Sequence, residues 1–518
     1  MRRKINQLSE NLILCYVAVF IVAALVYVVS CAPGVLWQDS GLFQYRILHN
    51  DLQGNLGLAL SHPLYIMIGM ALKVLPFGDL AYKVNLISAI SGAFAVSNLF
   101  LLVRLWLGKM VPAIISAISL LVSWTFWQHA AIAEVYTLYA AQMLAELVVL
   151  LMYVRSKKIG WLYGLALLNG LSIANHMWAI FGVACYFVLL VYLMSKKVIK
   201  FRHVAVVIGL WVLGAMPYEY LIVKNVVLTG DVAGTIQSTL FGGGLKGSGE
   251  GSKLSDGWEG GVINSRISPK IIAENIIFIV LNFPTPNILL ICAGLFALFK
   301  KVPDRLFANL FAGLMLLYFV FAFRYTVPDR YSFFLPVYCY FAILVGVGFE
   351  LLSKRLSSRG WVCLVVLFAM MPALVYCFMP EIGRKYYKSL GQRRQRPYRD
   401  EYVYFLVPWK TGYDGPVRFG RESLEIAEEG SIIYSDTTSV HAILYAQQYE
   451  GLRPDVQVIS EYDSSVGAVE LNERVVSKYM NESAVYVVSP IKGYCPGYLL
   501  ENYDFEQVWP IYRVVAKK

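Results

Sequence analysis

The chain has 518 residues, of which 58% are hydrophobic and 15% charged, with a formal net charge of +11. Soluble domains carry about 25% charged residues, so a soluble enzyme is excluded and a polytopic membrane protein with room for one extra domain is expected. The cations do not mark a nucleic-acid binder, because they fall in short runs between apolar segments, which is the pattern of topology signals.

About 20 apolar residues in a helix cross the hydrocarbon core. In chain order, eleven spans are predicted near 11–32, 82–104, 110–128, 134–154, 160–177, 178–195, 204–223, 271–299, 305–323, 331–352 and 360–379. The first apolar run is longer than the 7–15 residues of a signal core. An uncleaved first helix is therefore expected, although Val28-Val29-Ser30-Cys31 resembles a lipoprotein cleavage site. The segment 62–76 is apolar but short and reads as interfacial or re-entrant, within a first outer loop over 33–81. Residues 160–195 form a tight pair around Asn175-His176, and 271–299 is interrupted by Pro284 and Pro286.

Basic runs fall at every second turn: Arg2-Arg3-Lys4, Arg104 with Lys109, Arg155 with Lys157 and Lys158, Lys196-Lys197 through Arg202, Lys300-Lys301 with Arg305, and Lys354-Arg355 with Arg359. The positive-inside rule puts them in the cytoplasm, with the N-terminus inside and the C-terminus outside. A long outer loop, 224–268, is rich in glycine around Phe241-Gly242-Gly243-Gly244. It lacks the Gly-Lys-Ser/Thr of a P-loop and reads as a flexible connection, with a substrate gate as the alternative.

The membrane bundle is expected to occupy 1–380. A basic stretch from Arg384 to Arg396 then leads into a small α/β domain on the outer face, within 381–518. Its expected strands are 431–435, 456–459 and 484–488, around a helix near 438–450. The eight cysteines are scattered without C-x-x-C spacing, so neither a disulfide framework nor a zinc site is expected.

With this topology the notable polar residues share the outer face. They are Asp39 in Trp37-Gln38-Asp39-Ser40-Gly41, with Arg46, His49, Asp51 and His62 in the same loop, then His129 and Glu134, His176, Arg324, and Asp329-Arg330. Each also has a structural explanation. Asp39 or Ser40 suits the cap of a helix starting near Gly41, Glu134 suits a helix first turn, and His62 before Pro63 suits a helix start. Arg330 suits a two-pronged grip on phosphate, or a pair with Asp329, or an interface anchor near the aromatic belt. Ionisable groups at membrane depth are costly and usually face a cavity.

Several phrases occur in order: Gln38-Asp39-Ser40-Gly41, His62-Pro63-Leu64-Tyr65, Val84-Asn85-Leu86-Ile87-Ser88-Ala89, Ala133-Glu134-Val135-Tyr136-Thr137-Leu138, and Gly170-Leu171-Ser172 with Asn175-His176. Pro328-Asp329-Arg330-Tyr331, Phe334-Leu335-Pro336 and Gly451-Leu452-Arg453-Pro454-Asp455-Val456 follow. Together they resemble a bacterial membrane family of unknown function whose animal relatives are protein O-mannosyltransferases. The resemblance implies a GT-C glycosyltransferase, a multi-helix bundle that takes a sugar from a polyprenyl-phosphate carrier. In such enzymes a carboxylate of the first outer loop sits beside the acceptor, a position matched here by Asp39. Many relatives carry two adjacent acids there, whereas this chain has Asp39-Ser40.

The expected function is inverting transfer of mannose or another hexose to an acceptor hydroxyl on the outer face, with Asp39 as general base. Arg330, Arg324 and His176 are expected at the donor phosphate, and Glu134, His62, Arg46 and Trp37 at sugar or acceptor. The partners are the lipid-linked donor, membrane lipids and a protein, lipid or glycan acceptor, in a bacterial inner membrane or plasma membrane. No cofactor or metal ligand is assigned, and Asp39-Ser40 leaves the use of a divalent metal open. A flippase of lipid-linked sugars and a non-catalytic envelope scaffold are the competing readings.

Overall fold

The first long buried helix shows how sequence sets the bundle. Leu80–Leu107 starts at Asp79, whose carboxylate takes the amides of Ala81 and Tyr82 at 2.8 and 3.3 Å, and it ends at Gly108 with φ 73°. An N-cap acid and a left-handed C-terminal glycine are the residues those positions require. The computed structural model describes residues 2–242, 268–327, 329–356, 358–391, 395–460 and 473–517. The expected glycine run beyond Gly242, Pro328, and Gln392 to Arg394 lie outside the described residues.

Among the described residues, seven helices are long and apolar enough to cross a membrane: Asn11–Ser30, Leu80–Leu107, Tyr136–Ser156, Met177–Ser195, Phe201–Thr229, Arg305–Arg324 and Ser332–Ser353. Two bent pairs raise the number to nine: Met110–Leu121 with Trp124–Ala130 at 67°, and Arg359–Met370 with Pro372–Tyr386 at 41°. The other two expected spans are shorter. Ile159–Asn175 is 17 residues long, and 271–299 is divided at Pro284 and Pro286 into Pro269–Asn282 and Ile288–Lys300. Pro63–Lys73 is an 11-residue helix, too short to span. This is an integral membrane protein.

Small residues let the helices approach. A Cβ built on Gly170 would lie 2.2 Å from the carbonyl of Trp211, and one on Gly214 would lie 2.4 Å from that of Leu167. This close contact between Ile159–Asn175 and Phe201–Thr229 is the small-residue packing that membranes favour. At one end of the bundle the basic turns are tied together by Arg155 with Asp304 at 2.6 Å and Lys109 with Glu350 at 2.8 Å. Asp79 lies at the other end, roughly 40 Å away along a 28-residue helix.

The long outer loop differs from expectation. The helix from Phe201 continues to Thr229 rather than ending near 223, and a second helix follows over Val232–Phe241. Asp231 caps it through the Gly234 amide, and Leu240 and Phe241 turn back toward the site.

The C-terminal region holds a five-stranded sheet in the order β2-β1-β3-β5-β4. The strands are β1 (Ile432–Tyr434), β2 (Gln457–Ile459), β3 (Val485–Val487), β4 (Tyr503–Gln507) and β5 (Tyr512–Ala516). β1 pairs in parallel with β2 and β3, while β5 runs antiparallel to β3 and β4. The hairpin β4–β5 was not anticipated from the sequence. This region also does not stand apart from the bundle. Val35, Trp37, Phe43 and Tyr65 share one apolar core with Phe419, Val440, Ile443 and Tyr486.

Candidate active site

The site begins with how Asp39 is held. Asn85, fully buried, donates to the carbonyls of Ala32 and Gly34 at 2.9 and 3.0 Å and accepts from Gln44 at 2.9 Å. Gln44 in turn accepts from the Leu36 amide at 3.0 Å. These two amide side chains fix residues 32–36. Trp37, 2% exposed, donates to the Tyr413 hydroxyl at 2.7 Å, and the Gln38 amide donates to the Thr438 carbonyl at 3.0 Å. Gln38 takes a φ of 54°, a conformation that costs a non-glycine residue about 1–3 kcal/mol and concentrates at functional sites.

Asp39 then falls in the first turn of the helix Gln38–Leu48. The expected cap of a helix near Gly41 does not form, because the helix begins earlier and Trp37, at its N-cap position, makes no side-chain cap. Asp39 instead opens onto two cavities. One, of about 420 Å³, is mainly apolar, with Phe43, Leu60, Trp178, Phe181 and Phe333 in its wall beside His62 and His176. Ile180 and Leu240, 42% and 45% exposed, form its outer lip. The other, of about 360 Å³, is more polar and includes Trp37, Gln128, His129, Asp329, Tyr331 and Tyr404. Asp39, Glu134 and Tyr136 lie in the wall common to both.

Asp39 is accessible from these chambers, yet protein surrounds it, and burial raises its carboxyl above the ordinary range while nearby His441 opposes the rise. Glu134 is raised well above its usual value by burial and then by Asp39 and Asp329, although the Ser40 hydroxyl donates to it at 3.4 Å. Burial and then Asp39 push Asp329 up to about 6. Three acids whose carboxyls burial raises thus surround one chamber, the kind of setting in which acid and base roles are assigned by environment. Sequence reasoning passed over Asp329, treating it as a partner for Arg330.

His62 caps the helix Pro63–Lys73 from a left-handed φ of 48°, and its Nδ1 contacts the Asn175 carbonyl at 2.7 Å. His176 accepts the Trp178 amide at 3.2 Å and lies 5.1 Å from the His62 ring, centroid to centroid. Burial lowers His62 to about 4, and burial with His62 nearby lowers His176 well below 6.5. Both imidazoles are therefore neutral donors or acceptors at neutral pH.

Three predicted residues lie elsewhere. Arg46, 2% exposed, donates to the carbonyls of Asp51, Leu52, Leu60 and Ser61, so it organises the first loop from below and lines neither chamber. Arg330 pairs with Glu274 and lies 5.4 Å from the Phe278 ring, and its neighbour Asp329 takes the place at the chamber. Arg324 also lines neither chamber. Consecutive residues in a tight turn point apart, which is why Asp329 faces the cavity and Arg330 does not. Among the described residues no group of three or more His, Cys, Asp or Glu is arranged to hold a metal ion, so no metal ligand is assigned.

Two comparisons bear on this arrangement. Over 98% of its length the chain superposes on 98% of ArnT from Cupriavidus metallidurans in the apo state, with a TM-score of 0.58 and 14% identity. The fold is the GT-C fold of ArnT. The ArnT crystal structure bound to undecaprenyl phosphate gives a TM-score of 0.57, with 14% identity, 96% of this chain and 97% of that one. Residues 59–200 match the family described as the N-terminal domain of the protein O-mannosyl-transferase TMEM260. That stretch carries His62, Glu134 and His176, whereas Asp39 and Asp329 lie outside it.

Proposed function

We propose that the protein is a membrane glycosyltransferase that moves a hexose from a polyprenyl-phosphate carrier to an acceptor hydroxyl at the extracytoplasmic surface. The observation that carries this reading is the position of Asp39 in the wall between an apolar and a polar chamber. An apolar cavity lipped by Ile180 and Leu240 suits a prenyl chain, and a polar one suits sugar and acceptor. Support also comes from the ArnT fold, from the undecaprenyl phosphate bound to one ArnT structure, and from the O-mannosyl-transferase match.

In the proposed step Asp39 removes the acceptor hydroxyl proton as that oxygen attacks the anomeric carbon. The bond from that carbon to the phosphate oxygen breaks, and its electron pair leaves on the lipid phosphate. One displacement inverts the anomeric centre. His176, whose Nδ1 accepts from the Trp178 amide, donates from Nε2 to the leaving oxygens beside Glu134, whose carboxyl burial holds toward its protonated form, while His62, its one N–H given to the Asn175 carbonyl, presents Nε2 only as an acceptor. No lysine or arginine is among the described residues that line the chambers.

Purified protein with a polyprenyl-phosphate sugar tests the proposal. Asp39→Asn should lower turnover by about 10²–10⁴-fold while the melting temperature stays near that of the parent. Near-normal turnover by this variant would refute the base assignment, and transbilayer movement of the lipid without turnover would favour a flippase.

A further inference from the structure

Outside both chambers, the C-terminal sheet carries a second polar site. The chain runs from β1 to β2 on one side and then returns to lay β3 on the other edge of β1, all three parallel. Such a reversal opens a crevice at the carboxyl ends of the two strands where the order turns, and α/β sheets bind ligands there. Here it lies between Ser435-Asp436-Thr437-Thr438-Ser439, after β1, and the segment 488–496, after β3.

One arginine reaches this crevice, and a second lies beside it through a shared carboxylate. Arg396 Nη2 donates to Thr438 Oγ1 at 3.2 Å, and Tyr494, on the loop after β3, is close enough to act on the charge of Arg396. Arg399, its side chain 1% exposed, lies 4.2 Å from the Tyr404 ring and donates one nitrogen to Glu401 at 2.8 Å. Glu401 also pairs with Arg396 at 3.4 Å. Even so, among the described residues Arg396 Nε and both Nε and Nη1 of Arg399 are buried without an acceptor. Charged donors left in this state are costly unless something completes them. Thr437 and Tyr494 are half-buried at its edge, and the Arg396 side chain is 9% exposed. The Thr438 carbonyl accepts the Gln38 amide, one residue from Asp39.

We propose that the crevice at the carboxyl ends of β1 and β3 binds a small oxyanion, a phosphate or carboxylate carried by a substrate, and so anchors that substrate beside Asp39. Arg396, Arg399 and Thr438 hold it. Its role in turnover rests on the reading of Asp39 as the base, but its existence does not. The oxyanion has two sources, an acidic group on the acceptor or the donor phosphate. The position in the extramembrane domain, away from the apolar chamber, favours the acceptor.

The test titrates the full-length protein in detergent with inorganic phosphate, by calorimetry and without donor or acceptor. Phosphate should bind the parent and bind Arg399→Gln and Arg396→Gln about tenfold or more weakly. Thr438→Val, which removes a hydroxyl while nearly keeping volume, repeats the test with a milder loss should an arginine variant unfold. No binding to the parent, or equal binding to all folded variants, overturns the site. Unchanged phosphate binding by Asp39→Asn keeps this result separate from the base assignment. In turnover assays Thr438→Val should raise the acceptor KM and leave the donor KM unchanged. A rise in the donor KM instead assigns the anion to the donor phosphate, and no change in either overturns the substrate role.

Discussion

In the proposed step Asp39 and its neighbours divide labour through their environments. As burial raises its carboxyl, the rate should fall as pH drops through a value above the ordinary aspartate pKa of about 4. A pH–rate profile under saturating donor checks this, and an acid limb at or below about 4 would contradict it. Arg46 belongs to a different class. Four loop carbonyls converge on its guanidinium, so Arg46→Ala should destabilise the protein by about 3 kcal/mol, and Arg46→Lys should restore little, because an ammonium cannot reproduce the planar fork. Thermal unfolding in detergent measures both. Asp39 was legible in the sequence because a carboxylate follows an apolar span with Trp37 beside it. The fate of Arg330 was not, since its partner Glu274 lies 56 residues away and no local pattern links the two.

At the scale of elements, hydropathy located the helices but not their bends. The break at Pro284 and Pro286 was visible because proline removes a donor and clashes with the preceding turn. The 67° bend between Leu121 and Trp124 was not visible, because Val122 and Ser123 carry no breaker. In β4–β5, Pro510 interrupts the apolar pattern and obscured the hairpin. The contact of Gly170 and Gly214 leads to a sharp expectation. Gly214→Val would force side-chain carbons against the Leu167 carbonyl, 2.4 Å from the position of a Cβ. It should part the two helices and lower stability by about 1–3 kcal/mol or more, seen as a lower melting temperature, whereas Gly209→Ala, with open space around it, should have little effect.

At the scale of the whole molecule, the composition change near residue 380 pointed to a small α/β domain, and a five-stranded sheet stands there. The structure also joins it to the bundle, since Trp37 and Phe43 of the first loop pack in one core with Phe419 and Val440. A sequence boundary records a change of solvent, from lipid to water, and does not reveal that both sides bury the same surface. A chain truncated after Tyr386 should therefore expose Trp37 and the Asp39 helix, aggregate on size exclusion, and be cut rapidly by protease within 33–60. A monodisperse, protease-resistant truncation would show that the bundle stands alone.

The partition at Asp39 has a kinetic consequence. In the proposed reaction the spent carrier would leave sideways among the lipids, whereas a product on a water-soluble acceptor would depart into water, so the two exits answer to different concentrations. Inhibition by added polyprenyl phosphate should then scale with its mole fraction in the bilayer and stay constant when vesicles and carrier are diluted together.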